Sequence, residues 1–199
     1  EIRLTIQSEN GAELSAGEDN LVYRAADAFF KRFHVGQGVK IHLTKRIPMG
    51  AGLGGGSSDA AGTLMGLAKL FKMELTTKRK AAIAKIAKKL GADVPFFMHP
   101  AIFCLGKGIG DRLKPIKIGK SLPYMILAYP NVPIATVSSY KALPPIARSD
   151  ILTRLAHLDK LVISLKSGRP VEEWAPLLFN RLEQAQLQVL TQKIRLRRG

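Results

Sequence analysis

The chain has 199 residues, 46% of them hydrophobic, and lacks any apolar run of the roughly 18 residues that a membrane-spanning helix needs. Its single cysteine, Cys104, excludes internal disulfides, favours a reducing compartment and is expected to pack as a small hydrophobic residue. A formal net charge of +16 favours polyanionic partners, but the basic residues are dispersed without interleaved aromatic residues, so we expect no nucleic-acid binding.

The first part of the chain alternates strand and helix patterns. Residues 2–7 alternate apolar and polar side chains, which predicts a half-buried strand. Asp19 is suited to cap a helix whose apolar stripe covers residues 22–33. A second alternating strand is predicted at 39–43, with His42 on its polar face as a surface residue.

A glycine-rich stretch follows this second strand and leads into an apolar-periodic helix. Glycine allows unusual backbone angles and close approach, and N–H groups at a helix N-terminus attract anions. We interpret the stretch as a phosphate-binding loop. Its predicted binding residues are Pro48, Met49, Gly50, Ala51, Gly52, Leu53, Gly54, Gly55, Gly56, Ser57 and Ser58.

Two common phosphate loops do not fit this stretch. The Walker loop ends in Gly-Lys-Ser/Thr, whereas Gly56 is followed directly by Ser57. The dinucleotide fingerprint needs an acidic residue at the end of a following strand, and Glu74 ends no recognisable strand. Asp59 is interpreted as a first-turn acid that interacts with the helix dipole, not as a catalytic base.

Two further helices are predicted after the loop. The first carries Leu64 and Phe71 on its apolar face, and the second begins after Thr76 and ends at Gly91 in a left-handed cap. Asp93 then precedes a short apolar run. From the residues alone, a turn or cap is the simplest role for Asp93.

The remainder of the chain becomes mainly helical. The predicted elements are strands at 101–105 and 122–129 and helices at 136–142, 151–165 and 171–196. Glycines at 106–110 fit a hairpin turn as well as they fit a second phosphate loop.

The loop resembles the phosphate-binding motif of the GHMP kinase superfamily. Its triple glycine followed by Ser-Ser-Asp-Ala-Ala is similar, within that superfamily, to the family of 4-diphosphocytidyl-2-C-methyl-D-erythritol kinases. Three other segments resemble motifs of the same family. They are a helix start beside the adenine pocket at 19–22, a catalytic-aspartate segment at 91–97, and a segment that reaches the cytidine end of the substrate at 130–136 with Tyr140.

The resemblance implies an α+β, two-lobed GHMP kinase fold. Residues 1–112 would form an ATP-binding N-terminal lobe that resembles a ribosomal-protein fold, and residues 113–199 would form a partial α/β C-terminal lobe. ATP and Mg²⁺ are the implied cofactors, with loop amides from Gly52 to Ser58 holding the phosphates and Asn20 beside the nucleotide. A hydroxyl of Ser57 or Ser58 could reach the phosphates or Mg²⁺, and no residue is assigned as a dedicated metal ligand.

The resemblance also implies a reaction. Asp93 would be the base that accepts a proton from the 2-hydroxyl of 4-diphosphocytidyl-2-C-methyl-D-erythritol while ATP phosphorylates it. Thr136 and Tyr140 would bind the cytidine end, with Tyr140 stacking on the pyrimidine. The alternative for Tyr140, a core aromatic on a short helix, stays open.

Two segments typical of the family are missing from this sequence: a first strand whose lysine pairs with the catalytic aspartate, and a late Gly-Ser-Gly loop. We therefore expect a piece of a longer kinase, monomeric or weakly dimeric, in a bacterial cytoplasm or plastid stroma. The alternatives are another GHMP small-molecule kinase, an inactive fragment, and an RNA-binding module suggested by the charge.

Overall fold

A computed structural model describes residues 1–9, 13–110, 112–128, 136–183, 187 and 191. The described chain mixes helices and strands, which confirms the predicted α+β class. It divides into two compact units, one of residues 1–49 with 53–114 and one of residues 50–52 with 115–199. Segment 130–135 and the basic tail at 193–199 lie outside the described residues, and the domain boundary at 112/113 stays a prediction.

A parallel β–α–β arrangement opens the first unit. Strand β1 (Ile2–Ser8) pairs in parallel with β2 (Val39–Lys45), from Ile2 opposite Val39 to Ser8 opposite Lys45. Helix α1 (Leu21–Phe33) connects them. Parallel neighbours cannot be joined by a tight turn, so a crossover helix suits this topology.

The N-terminus of α1 differs from the prediction by one residue. Asn20 is the N-cap, because its Oδ1 accepts a hydrogen bond from the Val22 amide at 2.8 Å. The Asp19 carboxylate instead accepts a hydrogen bond from the Ser15 hydroxyl at 2.5 Å. Both side chains are good caps, and only the helix start at Leu21 decides between them.

Three more helices complete the core of this unit. They are α2 (Gly55–Leu70), α3 (Thr77–Leu90) and α4 (Val94–Phe97). The buried core consists of apolar residues from these helices, α1 and β2: Ala25, Ala26, Phe29, Val39, Ala60, Ala61, Leu64, Leu67, Ala68, Ile83, Ile86, Ala87 and Val94.

Two predictions about α3 had different outcomes. Thr76 caps the helix as expected, since its hydroxyl accepts from the Arg79 amide at 3.4 Å. The predicted left-handed cap at Gly91 is wrong. The φ of Gly91 is 175°, which is extended backbone.

A small sheet follows α4. Strands β3 (Phe103–Lys107) and β4 (Arg112–Ile116) pair with each other, so the glycines between them belong to a hairpin connection. Cys104 is partly buried in β3, consistent with its expected packing role. β3 begins two residues later than the predicted strand.

The second unit is helical where it is described. It contains α5 (Thr136–Lys141), α6 (Arg148–Lys166), α7 (Val171–Trp174) and a 3₁₀ turn (Ala175–Leu177). The prediction that 171–196 is mostly helical is confirmed for the described residues, which are helical at 171–177, 182–183, 187 and 191. The helix is interrupted at 178–181, shortly after Pro176 removes a backbone donor. None of the helices in the described part of the chain is both long enough and apolar enough to cross a membrane.

The strand predicted at 122–129 is also absent from the described residues. Residues 122–128 are irregular, and Tyr124, Ile126 and their neighbours are exposed. A strand requires hydrogen bonds from a neighbouring strand, and no described segment pairs with this one.

Candidate active site

The glycine loop connects the end of β2 to the start of α2. Gly50, Gly52 and Gly54 have φ values of 64°, 72° and 66°. This left-handed region is costly for residues with a Cβ, so glycine suits all three positions. The glycines alternate in the sequence because the backbone has positive φ angles at these three positions.

The other residues of the loop differ in exposure. Met49 and Leu53 are exposed, whereas Pro48 and Ala51 are half-buried. No described residue hydrogen-bonds to the hydroxyl of Ser57 or that of Ser58, although both side chains are half-buried.

Helix α2 begins inside the triple glycine, two residues earlier than the serine pair. Gly54 is the N-cap, and its carbonyl accepts from the Ser58 amide at 2.9 Å. The amides of Gly55, Gly56 and Ser57 therefore form the open end of the helix, and no described residue accepts a hydrogen bond from them. Such amides, at the positive end of the helix dipole, suit a phosphate. The predicted use of the Ser58 amide is wrong, because this amide is already bonded within the helix.

The triple glycine lets the first turn of α2 approach neighbouring elements. A Cβ at Gly54 would lie 2.8 Å from the Phe97 ring of α4, and one at Gly56 would lie 3.3 Å from the Leu21 side chain. The start of α1 and the helix after Asp93 therefore both border the loop.

Gly55 lies directly against the side chains of Lys45 and Ile47. A Cβ there would lie 2.8 Å from Nζ of Lys45 and 2.9 Å from the Ile47 side chain. Both distances are shorter than real Cβ contacts, so any side chain at this position would displace the residues beneath the loop.

Lys45 and Asp59 form a buried ion pair beneath the loop. Nζ of Lys45 lies 2.5 Å from Oδ2 of Asp59, and the Lys45 side chain is 6% exposed. Asp59 is the fifth residue of α2, so its predicted first-turn position is wrong and its carboxylate binds a lysine. Desolvated charges of this kind are usually paired, as here.

The sequence interpretation gave Lys45 no role. One signal was available: in a strand, alternate residues share a face, and Lys45 continues the apolar series of Val39, Ile41 and Leu43. A lysine at an inward position needs a buried partner. The strand pattern does not predict that this partner is Asp59, which lies 14 residues further along the chain.

Asp93 precedes α4 and is exposed. It is the N-cap residue of α4, but its side chain makes no capping hydrogen bond, and no described residue forms a hydrogen bond or ion pair with its carboxylate. A Cβ at Gly91 would lie 3.8 Å from Oγ of Ser57, and α4 packs on α2. The structure thus brings the segment of Asp93 to the first turn of α2, with its carboxylate available.

Asn20 also lies at this edge, next to Leu21, but its side chain is engaged. Oδ1 caps α1, and Nδ2 donates to the Ser15 carbonyl at 2.7 Å. A contact between Asn20 and a nucleotide stays a prediction.

Thr136 and Tyr140 belong to α5 of the second unit. Tyr140 is 61% exposed, which contradicts the alternative that it is a core aromatic. Thr136 is the first residue of the helix, and its side chain is not described. Their contacts with substrate stay predictions.

A groove of about 670 Å³ lies between α1 and α3, lined by residues such as Arg24, Asp27 and Lys85. None of the predicted site residues lines it. Its volume is of ligand size, but its lining has no connection with the loop.

Comparison with protein families gives a match that falls mainly in the first unit. Residues 20–100 match the family described as "GHMP kinases N terminal domain". This range includes the whole glycine loop, Asn20 and Asp93.

Curated relatives agree over a longer range. The chain is 38% identical to a 4-diphosphocytidyl-2-C-methyl-D-erythritol kinase of Citrifermentans bemidjiense, over 92% of this chain and 62% of the relative. It is 37% identical to the protein of the same name from Desulfitobacterium hafniense, over 95% of this chain and 63% of the relative. The chain therefore spans less than two thirds of the length of these relatives.

Two solved structures are similar in fold. A 4-(cytidine 5'-diphospho)-2C-methyl-D-erythritol kinase superposes with a TM-score of 0.60 at 28% identity, over 98% of this chain and 65% of the other. A homoserine kinase from Cytophaga hutchinsonii superposes with a TM-score of 0.68 at 20% identity, over 84% of this chain and 56% of the other. The second match concerns the fold alone.

Proposed function

Because residues 20–100 match the family of GHMP kinase N-terminal domains, we propose that the protein is an ATP-dependent small-molecule kinase. The proposed substrate is 4-diphosphocytidyl-2-C-methyl-D-erythritol, phosphorylated on its 2-hydroxyl in non-mevalonate isoprenoid synthesis. The substrate assignment is supported by the names of the relatives that match most of this chain.

One observation carries the proposal: open amides at the start of α2 lie beside the segment of a carboxylate that has no described partner. The amides of Gly55, Gly56 and Ser57 suit the phosphates of ATP, and Asp93 suits a base. Phosphoryl transfer depends mainly on positioning and on neutralising charge, so this combination matches its needs.

The proposed step transfers the γ-phosphoryl group of ATP to the substrate hydroxyl. The substrate oxygen forms a bond to the γ-phosphorus, the bond to the bridging β–γ oxygen breaks, and ADP leaves. The proton of the hydroxyl passes to Asp93, whose exposed carboxylate is free to accept it. The loop amides hold the phosphate oxygens throughout, so the γ-phosphorus stays aligned with the hydroxyl.

Mg²⁺, which neutralises phosphate charge in kinases, fits this site as an ion carried by the nucleotide. Among the described residues there is no group of three or more His, Cys, Asp or Glu that could hold a metal. Mg²⁺ commonly uses one or two protein oxygens together with phosphates. The hydroxyls of Ser57 and Ser58 could supply such oxygens, whereas Asp59 is engaged by Lys45.

The second unit is proposed to provide the cytidine contacts. The exposed ring of Tyr140 offers a face on which a pyrimidine could stack. We propose domain limits of 1–112 and 113–199, action in a bacterial cytoplasm or plastid stroma, and a monomer or weak dimer.

The test is a substrate panel with the full-length protein. Purified protein is incubated with ATP, Mg²⁺ and one of three alcohols, namely the cytidylyl substrate, homoserine or mevalonate, and products are identified by phosphorus NMR. We expect phosphorylation of the cytidylyl substrate only. Phosphorylation of another alcohol would reassign the substrate within the superfamily. ATP binding without transfer to any of the three, or RNA binding at physiological salt without ATP binding, would contradict the proposal.

A further inference from the structure

The buried Lys45–Asp59 ion pair differs from the exposed ion pairs of this structure. Its side chains are 6% and 20% exposed, whereas both partners in Arg3–Glu1 and Lys31–Asp27 are well exposed. A buried ion pair is a weak source of stability, because desolvation offsets most of the attraction. Its presence beneath the glycine loop therefore calls for another explanation.

The ammonium of Lys45 lies against the start of α2. Its Nζ would lie 2.8 Å from a Cβ on Gly55, so the ammonium packs against the first residue of α2. This is the end of the helix where the dipole is already positive, and a cation alone would be unfavourable there. Asp59, one turn further along α2, offsets that cost and holds the ammonium in place.

We propose that Lys45 is a positioning residue of the phosphate loop. Asp59 fixes the position of the Lys45 ammonium through their ion pair. The ammonium packs beneath Gly55 and, because Asp59 fixes its position, keeps the amides that take the phosphates in place. The loop itself has no lysine, and β2 supplies one from the strand that precedes it. This inference rests on the proposed kinase function.

The test compares variants of the full-length protein. The double variant K45M/D59L removes both charges and keeps apolar volume, a replacement that buried ion pairs often tolerate without loss of stability. We expect its thermal unfolding midpoint to stay near that of the wild type. Its Kd and KM for ATP should rise by about tenfold or more, because a small misplacement of the amides that bind the phosphates weakens binding sharply. The KM for the alcohol substrate should change little.

Two more variants sharpen the comparison. Lys31→Met removes a paired lysine from α1, away from the loop, and should leave ATP affinity unchanged. K45M/D59N also removes both charges, keeps the size of the Asp59 side chain, and should weaken ATP binding as K45M/D59L does. Because its volume changes less, it still tests the inference if K45M/D59L does not fold.

The outcomes separate the inference from the proposed function. Wild-type ATP affinity in a folded K45M/D59L protein, or in K45M/D59N when K45M/D59L does not fold, would show that the pair is only structural and would overturn the inference. A wild-type protein that neither binds ATP nor transfers phosphate would overturn the proposed function and the inference with it. Weaker ATP binding with an unchanged unfolding midpoint supports both.

Discussion

Asp93 and Asp59 are both acidic residues near the glycine loop, but their surroundings give them different capacities. Asp59 is committed to Lys45 at 2.5 Å, so its carboxylate cannot accept a substrate proton without breaking a buried pair. Asp93 is exposed and has no described partner. Asp93 therefore stays the proposed base, as the family resemblance implied.

Asp93→Asn should lower kcat by about 10²–10⁴-fold, the usual contribution of a general base. The amide keeps the shape of the carboxylate but cannot accept the proton. Since Asp93 has no described partner, the thermal unfolding midpoint should stay unchanged. Steady-state kinetics and thermal unfolding of the full-length protein check this. Full activity in the variant would exclude Asp93 as the base.

Two glycines of α2 offer a matched pair of substitutions. Gly55→Ala places a methyl group against Lys45 and Ile47 and should destabilise the protein by about 1–3 kcal/mol, as overpacking does. Gly62→Ala meets nothing within 4 Å and should stabilise by about 0.5–1 kcal/mol through the lower entropy of the unfolded chain. Urea unfolding of both variants measures the difference, and equal effects would contradict the described packing.

At the scale of the elements, α1 links the two paired strands and begins beside the glycine loop. Its buried face packs on α2, and Leu21 at its start faces Gly56. The cap of α1 therefore supports one wall of the candidate site.

Asn20→Ala should cost about 1 kcal/mol of stability, because the Val22 amide loses its acceptor. Asp19→Ala is the matched control. Asp19 makes no cap, so its loss should cost less than the loss of Asn20. Chemical unfolding of the two variants compares their free energies of unfolding. A larger loss for Asp19→Ala would indicate that Asp19, not Asn20, caps α1.

At the scale of the whole molecule, the two units differ in how much core they contain. The first unit buries apolar side chains from α1, α2, α3, α4 and the strands. Among the described residues of the second unit, Leu165 is the only buried hydrophobic one. Residues 123–128 are apolar yet exposed, so that unit leaves this apolar surface unburied within the described part.

A separately expressed fragment of residues 1–114 should therefore fold, with one cooperative urea transition followed by circular dichroism. The matched fragment of residues 115–199 should show no such transition, because little apolar area is removed from water. Cooperative unfolding of the second fragment alone, without the first, would contradict this reading of the cores.

The fold is similar to those of the two solved kinases, and much of it could be predicted from local patterns. Alternation predicted β1 and β2, and helical periodicity predicted α1, α2 and α3. The strand at 122–129 was not predicted correctly, because its apolar composition satisfies the strand pattern while its existence depends on a partner strand. Asn20 was missed as a cap because two good caps stand side by side.

The sequence by itself determined the glycine loop, its place before a helix, and Asp93 as an acidic residue after a helix stop. These depend on backbone angles and periodicity, which neighbouring residues encode. Only the tertiary structure decided that Lys45 and Asp59 meet beneath Gly55, and that the segment of Asp93 borders the first turn of α2. Such contacts join residues that are distant in the chain, and packing between elements selects them from many partners that local sequence allows equally well.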